Sequence, residues 1–153
     1  MQPFPHHYRA QARAASTGRV TASAEGVPEI ASSAPPEFGG PPGYWSPETL
    51  LVAAIADCFI LTFRACARAS KLAWLSMTVD VEGVLDQEDA TALFTQFTLS
   101  PRVTVPPATS EALAARVLQQ AKRKCLVTNS LRAACELSPN VSVVANDEAP
   151  AGI

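Results

Sequence analysis

Residues 46–68, SPETLLVAAIADCFILTFRACAR, constrain the fold more than any other stretch. Ser46 suits an N-cap, Pro47 the first helical position, and Glu48 the first turn, where a carboxylate meets the positive end of the helix dipole. From Leu50 to Phe63 nearly every side chain is apolar. A helix apolar on all faces is expected to be buried on all faces. The run is shorter than the roughly 20 residues a membrane span needs, and it contains Asp57. The expectation is a soluble chain that wraps itself, or a second copy of itself, around this helix, with no membrane as partner. Cys58 sits in the middle.

A chain of 153 residues is long enough for one domain with a real core. With 48% hydrophobic and 17% charged residues it reads as globular. The net charge of −2 argues against nucleic acid as a partner. The first residues, MQPFPHHYR, lack the basic start and apolar core of a signal peptide, so a cytoplasmic, reducing compartment is expected. In that compartment the four cysteines are buried, metal-bound or redox-active rather than structural disulfides.

Residues 7–14 alternate, with Tyr8, Ala10, Ala12 and Ala14 on one face, as in a half-buried strand. Arg19–Ser23 and Val27–Ser32 read as two more short strands, with turns at Thr17-Gly18 and Gly26. Residues 35–45, PPEFGGPPGYW, hold four prolines and three glycines, which argues against regular structure. Past the long helix, Ser76–Leu85 and Leu93–Leu99 alternate as a hairpin around DQEDA, with Pro101 and Pro106-Pro107 expected to end it. Ser110–Cys125 reads as a second helix, acidic at its start and basic at its end, with a stripe of Leu113, Val117, Ala121 and Cys125. A short third helix is expected over 130–136, capped by Thr128 or Asn129, then a strand over Val141–Val144 and a frayed tail over 146–153. No repeat or second domain is evident.

The cysteine spacing excludes several chemistries. There is no C-x-x-C pair, no phosphate loop and no G-x-S-x-G. His6 and His7 are adjacent and, on a strand, point to opposite sides, so no metal site is expected. Cys58 and Cys66 share a helix face but stand about 12 Å apart, beyond disulfide reach. That limit does not apply to Cys58 and Cys125, which lie on different helices. Cys66 and Cys135 read as small core residues.

SPETLLVAAIADCF resembles the central-helix motif of the OsmC/Ohr family, the osmotically inducible and organic hydroperoxide resistance proteins. That motif has a Pro-Glu pair, an apolar helix and a Cys-Phe, with the spacing seen between Glu48 and Cys58. KRKCLVTNSL, residues 122–131, resembles the family's second-cysteine segment. The resemblance implies an α+β fold: a long buried central helix and a second helix on antiparallel strands, in an intertwined homodimer. It also implies thiol-based reduction of organic hydroperoxides, with Cys58 attacking and Cys125 resolving. No metal or organic cofactor is implied. An external dithiol is needed as reductant, and the resemblance suggests a dihydrolipoyl protein.

A free thiol has a pKa near 8.5, and lowering it by two units takes about 2.7 kcal/mol of anion stabilisation. The helix dipole fades after one turn, whereas Cys58 lies about three turns in. Burial and Asp57 both push the pKa upward. A cation must come from elsewhere. The family uses an arginine of the N-terminal strands, held by the glutamate of the Pro-Glu pair. Arg19 is the choice here, with Arg13 and Arg9 as alternatives, because Ser16-Thr17-Gly18-Arg19 departs from the family's glycine-rich pattern. Glu48 and Cys58 are about 15 Å apart along one helix and point in different directions. If both serve one site, Glu48 comes from a second copy. Phe38, Tyr44, Trp45 and Phe59 are candidates for an apolar substrate pocket. Two other readings remain: a non-catalytic OsmC-like binding protein, and another α+β enzyme such as a hot-dog thioesterase, with Asp57 as its mid-helix carboxylate.

Overall fold

The computed structural model describes residues 3–144. The expected frayed tail lies outside them. The chain divides into two compact units, up to Leu51 and from Val52, with the boundary inside the long helix.

The first unit is a three-stranded antiparallel sheet of β1 (Gln11–Arg13), β2 (Val20–Ser23) and β3 (Ile30–Ser32), in that order. Gly18 (φ 94°) and Gly26 (φ 75°) take the left-handed turn conformations open to glycine. The strands are shorter than the alternation predicts. His6 and His7 lie outside β1, and residues 3–10 are exposed, Phe4 and Tyr8 among them. The proline-rich segment holds one turn of 3-10 helix, Pro36–Phe38, against the expectation of no regular structure. Proline is tolerated at a helix start, where no N–H is needed. A β-carbon on Gly40 would stand 1.7 Å from the Ala34 carbonyl oxygen, so the chain returns here only with glycine. Trp45 then bridges Ser32 in parallel, and the Ser33 N–H donates to the Trp45 carbonyl at 2.9 Å.

Helix α1 (Pro47–Ala69) starts where its cap predicts. The Thr49 N–H donates to Ser46 Oγ at 3.2 Å, and the Ser46 N–H donates back to Thr49 Oγ1 at 2.9 Å, a reciprocal capping box with threonine in the usual Glu place. The helix is not buried all round. Ile55, Phe59, Phe63, Cys66 and Ala67 form one buried stripe, while Leu61 is exposed. With 23 residues and a mean hydropathy of 2.0, α1 is long and apolar enough to cross a membrane, and only 28% of its most apolar window is buried within the chain.

The second unit carries β4 (Ser76–Glu88) and β5 (Thr91–Val105), a long hairpin. Asp89 and Ala90, both at positive φ, make its two-residue turn. The strand does not end at Pro101, which pairs with Val79 inside β5. Leu99's carbonyl accepts from the Ser138 N–H, so the nitrogen of Pro101, two residues on, faces the same edge. On that edge β6 (Ala134–Leu137) and β7 (Asn140–Val143) pair in parallel with β5, ending at Leu99 and restarting at Arg102. Pro101 falls in the gap, where no donor is required. The sheet is therefore mixed rather than wholly antiparallel. Residues 134–137 form strand β6, not the expected third helix, because the alternating Ala-Cys-Glu-Leu completes this edge. Helix α3 is the shorter Leu126–Asn129.

Helix α2 (Glu111–Lys124) is capped by Ser110, whose hydroxyl accepts from the Leu113 N–H at 3.2 Å. Its buried stripe is Ala114, Val117, Leu118 and Ala121, rotated slightly from the one anchored on Leu113, and it continues into Cys125. Phe97, Leu99, Val103 and Val105 of β5 complete the buried core, and Phe63 meets Trp74 edge to face at 5.4 Å.

A β-carbon on Gly83 would lie 2.8 Å from Phe97 and 2.9 Å from Phe94, two rings stacked at 4.9 Å. Gly83→Ala is expected to lower stability by about 1–3 kcal/mol in denaturant titration, the usual cost of overpacking. An unchanged midpoint would contradict this packing.

Candidate functional site

Two thiols meet in the second unit. Cys58 projects from the middle of α1 at the flank of its buried stripe and is half-buried. Cys125 is fully buried where α2 ends and α3 begins. Cys58 neighbours Cys125 closely enough to act on its ionisation, and all four cysteines are reduced. Burial pushes the Cys125 thiol above its ordinary range, the Thr128 hydroxyl and N–H pull it partly back, and the neighbouring Cys58 pushes it up again. Thr128, expected from sequence as a cap candidate for a helix over 130–136, instead lies inside α3 beside Cys125. Its hydroxyl also donates to the Cys125 carbonyl at 3.2 Å, and its place three residues after the cysteine is the signal that pointed to it.

The other cysteines stand apart from this contact. Cys66 is buried in the α1 stripe. Cys135 is half-buried on β6 and leans on the Ala133 carbonyl at 3.6 Å; burial raises its thiol pKa, with Lys122 opposing.

In the first unit the three arginines have different surroundings. Arg13 is held by Glu29 through two parallel hydrogen bonds of 2.8 Å, which lower the Glu29 pKa. Arg9 is exposed beside Gln11, Ser23 and Glu25. Arg19 lies over Tyr44, its guanidinium carbon 5.2 Å from the ring centroid and its Nη1 3.4 Å from the phenolic oxygen. Glu48, at the second position of α1, has a buried carboxylate oxygen, Oε2, with no hydrogen-bond partner. The arginine–glutamate pair that the family resemblance implies is not formed: Arg19 is on Tyr44 and Glu48 is open.

The aromatic candidates separate in the same way. Phe38 (61% exposed), Tyr44 (43%) and Trp45 (51%) present apolar surface on the first unit. Phe59 is wholly buried in the core of the second unit and shows no surface to a ligand within the chain. Asp57 is exposed on α1.

Comparison with known proteins places this architecture. An OsmC-like protein from Vibrio cholerae aligns with a TM-score of 0.80 at 19% identity, over 88% of this chain and 99% of that one. An organic hydroperoxide resistance protein from Elizabethkingia anophelis, with thiocyanate bound, aligns with a TM-score of 0.73 at 22% identity, over 94% of this chain and 100% of that one. YmaD of Bacillus subtilis, itself uncharacterized, is 25% identical over 114 residues, covering 72% of this chain and 76% of its own. The family described as OsmC-like protein matches residues 40–140, a span holding both Cys58 and Cys125. The chain belongs to this family, the OsmC/Ohr proteins, which includes organic hydroperoxide resistance proteins. That assignment removes the hot-dog alternative.

Folding raises the Cys125 pKa, so its protonated form stabilises the native state. This contribution is fully present below the ordinary thiol value of 9.0 and fades as pH rises beyond it. Above pH 9 the melting temperature of the wild type is therefore expected to fall more steeply than that of Cys125→Ala. Parallel slopes would contradict the assigned burial. Alkylation followed by peptide mass is expected to label Cys58 before Cys125.

Proposed function

We propose that this protein is a thiol-dependent peroxidase that reduces organic hydroperoxides and works as a homodimer in the cytoplasm. The observation that supports the reading is the nearness of Cys58 and Cys125, carried by two different helices within a span the family matches. The Cys58 thiolate attacks the terminal oxygen of the hydroperoxide. The O–O bond breaks, Cys58 becomes a sulfenic acid, and the departing alkoxide takes a proton to leave as the alcohol. The Cys125 thiol then attacks the Cys58 sulfur and expels the oxygen as water, giving a disulfide. An external dithiol returns both thiols, and a dihydrolipoyl protein fits that role by family resemblance.

The halves of the site explain the proposed dimer. Cys58 needs a cation, and Glu48 of its own helix is about 15 Å away. In the dimer, Arg19 and Glu48 of one copy serve Cys58 and Cys125 of the other. The guanidinium pairs with the open Glu48 oxygen and keeps donors for the thiolate and the leaving alkoxide. The apolar faces of α1 left uncovered within one chain supply the surface for that association. Phe38 and Trp45 offer the apolar contact that favours an organic substituent over hydrogen peroxide.

Turnover of cumene hydroperoxide with dithiothreitol tests this directly. The wild type is expected to consume peroxide rapidly, Cys58→Ser to lose activity at least 100-fold (on the order of a lost nucleophile), and Cys125→Ser to form a sulfenic acid without a disulfide. A wild type no faster than Cys58→Ser would contradict the proposal and leave a binding scaffold. Sedimentation is expected to give a dimer, and a monomer at micromolar concentration would remove the shared site.

A further inference from the structure

The proposed reaction depends on an arginine, and three precede the long helix. Arg13 is already committed to Glu29, and Arg9 lies beside Gln11, Ser23 and Glu25. Arg19 is placed differently by the strand register. Val20 pairs with Ser32, and Ser32 bridges Trp45. Arg19 and Tyr44 adjoin Val20 and Trp45 in sequence, and their side chains reach across the row, the guanidinium carbon standing 5.2 Å from the ring centroid. Trp45 is followed at once by Ser46, the cap of α1, so Glu48 follows within the same corner. The corner thus holds an exposed guanidinium resting on a half-exposed aromatic ring, together with a carboxylate oxygen that is buried and unpartnered.

A buried unpartnered carboxylate oxygen is costly and calls for a cation. A cation–π contact with a long hydrogen bond of 3.4 Å holds that cation more weakly than a two-pronged carboxylate pair would. We infer that Tyr44 is a positioning residue that holds the Arg19 guanidinium at the end of the N-terminal sheet, with its remaining donors free for Glu48 when the site is completed. This inference rests on the peroxidase reading and goes beyond it by assigning a role to a side chain outside the reacting set. The ring restricts where the guanidinium moves, and the hydroxyl fixes its orientation. The contact with the ring is kept while the guanidinium turns its free donors to Glu48, so Tyr44 stabilises the working position.

The test is a double-mutant cycle read on Cys58 itself. The pH dependence of Cys58 alkylation and the cumene hydroperoxide kcat/KM are measured for the wild type, Tyr44→Leu, Tyr44→Phe, Arg19→Ala and the double variant Tyr44→Leu/Arg19→Ala. Tyr44→Leu is expected to lower kcat/KM roughly fivefold to tenfold, the size of one exposed cation–π contact with one neutral hydrogen bond. It is also expected to shift the Cys58 alkylation midpoint upward in pH. Tyr44→Phe keeps the ring and is expected to fall between the two. In the Arg19→Ala background, Tyr44→Leu is expected to change nothing further, because the residue acts only through the arginine. An equal loss in both backgrounds would overturn the inference and reduce Tyr44 to a pocket wall. So would an Arg19→Ala variant as active as the wild type. Neither result touches the peroxidase reading, which fails separately if Cys58→Ser turns over peroxide as fast as the wild type.

Discussion

The structure depends on finding cover for a helix that is apolar on nearly every side. Helix α1 buries Ile55, Phe59, Phe63 and Ala67 in the core of the second unit, where Val117, Leu118, Leu99 and Val103 are buried too. A fully buried Ile or Phe contributes about 1.5–3 kcal/mol, so the stripe is a substantial part of that core. Its position also fixes the chemistry. Cys58 lies one residue before Phe59 and so at the edge of the stripe, half in the core and half open. Cys125 lies one turn beyond Ala121 on the α2 stripe and is carried fully inside. The nearness of the two thiols thus goes with their places on or beside the buried stripes of two helices.

The same constraint separates the roles of the two sulfurs. A thiol at the core edge is reachable by a substrate and by a cation. A thiol inside the core is protected from both, with its pKa pushed up by burial. In a peroxidase the accessible thiol meets the oxidant and the protected one waits for the sulfenic acid to form beside it. The cation of the proposed reaction comes from the N-terminal sheet, where Arg19 lies over Tyr44 and a buried oxygen of Glu48 has no hydrogen-bond partner.

Much of this was legible in sequence, for identifiable reasons. The Ser46-Pro47-Glu48 start, the α2 boundaries and the hairpin were readable because capping and alternation are local signals. The fate of residues 134–137 was not, since their pairing with β5 is a long-range event that their own sequence does not encode. Pro101 misled for the same reason: a proline ends a strand only if its missing donor was needed, and that depends on the gap between β6 and β7. The full burial expected for α1 left open whether one chain or a second copy supplies the cover, and the chain by itself covers one stripe. At the site, the two cysteines were visible through their spacing and family resemblance. The engagement of Arg13 by Glu29 and of Arg19 by Tyr44 was not, because both contacts span loops whose geometry the sequence leaves open.

The central claim is that Cys58 and Cys125 form one redox unit, and peptide mapping after oxidation addresses it most directly. The reduced protein is treated with one equivalent of cumene hydroperoxide, alkylated, digested without reductant and analysed by mass. The account predicts a single cross-linked species joining the Cys58 and Cys125 peptides, with Cys66 and Cys135 recovered as free thiols. Four free thiols after peroxide treatment, or a cross-link through Cys66 or Cys135, would contradict it.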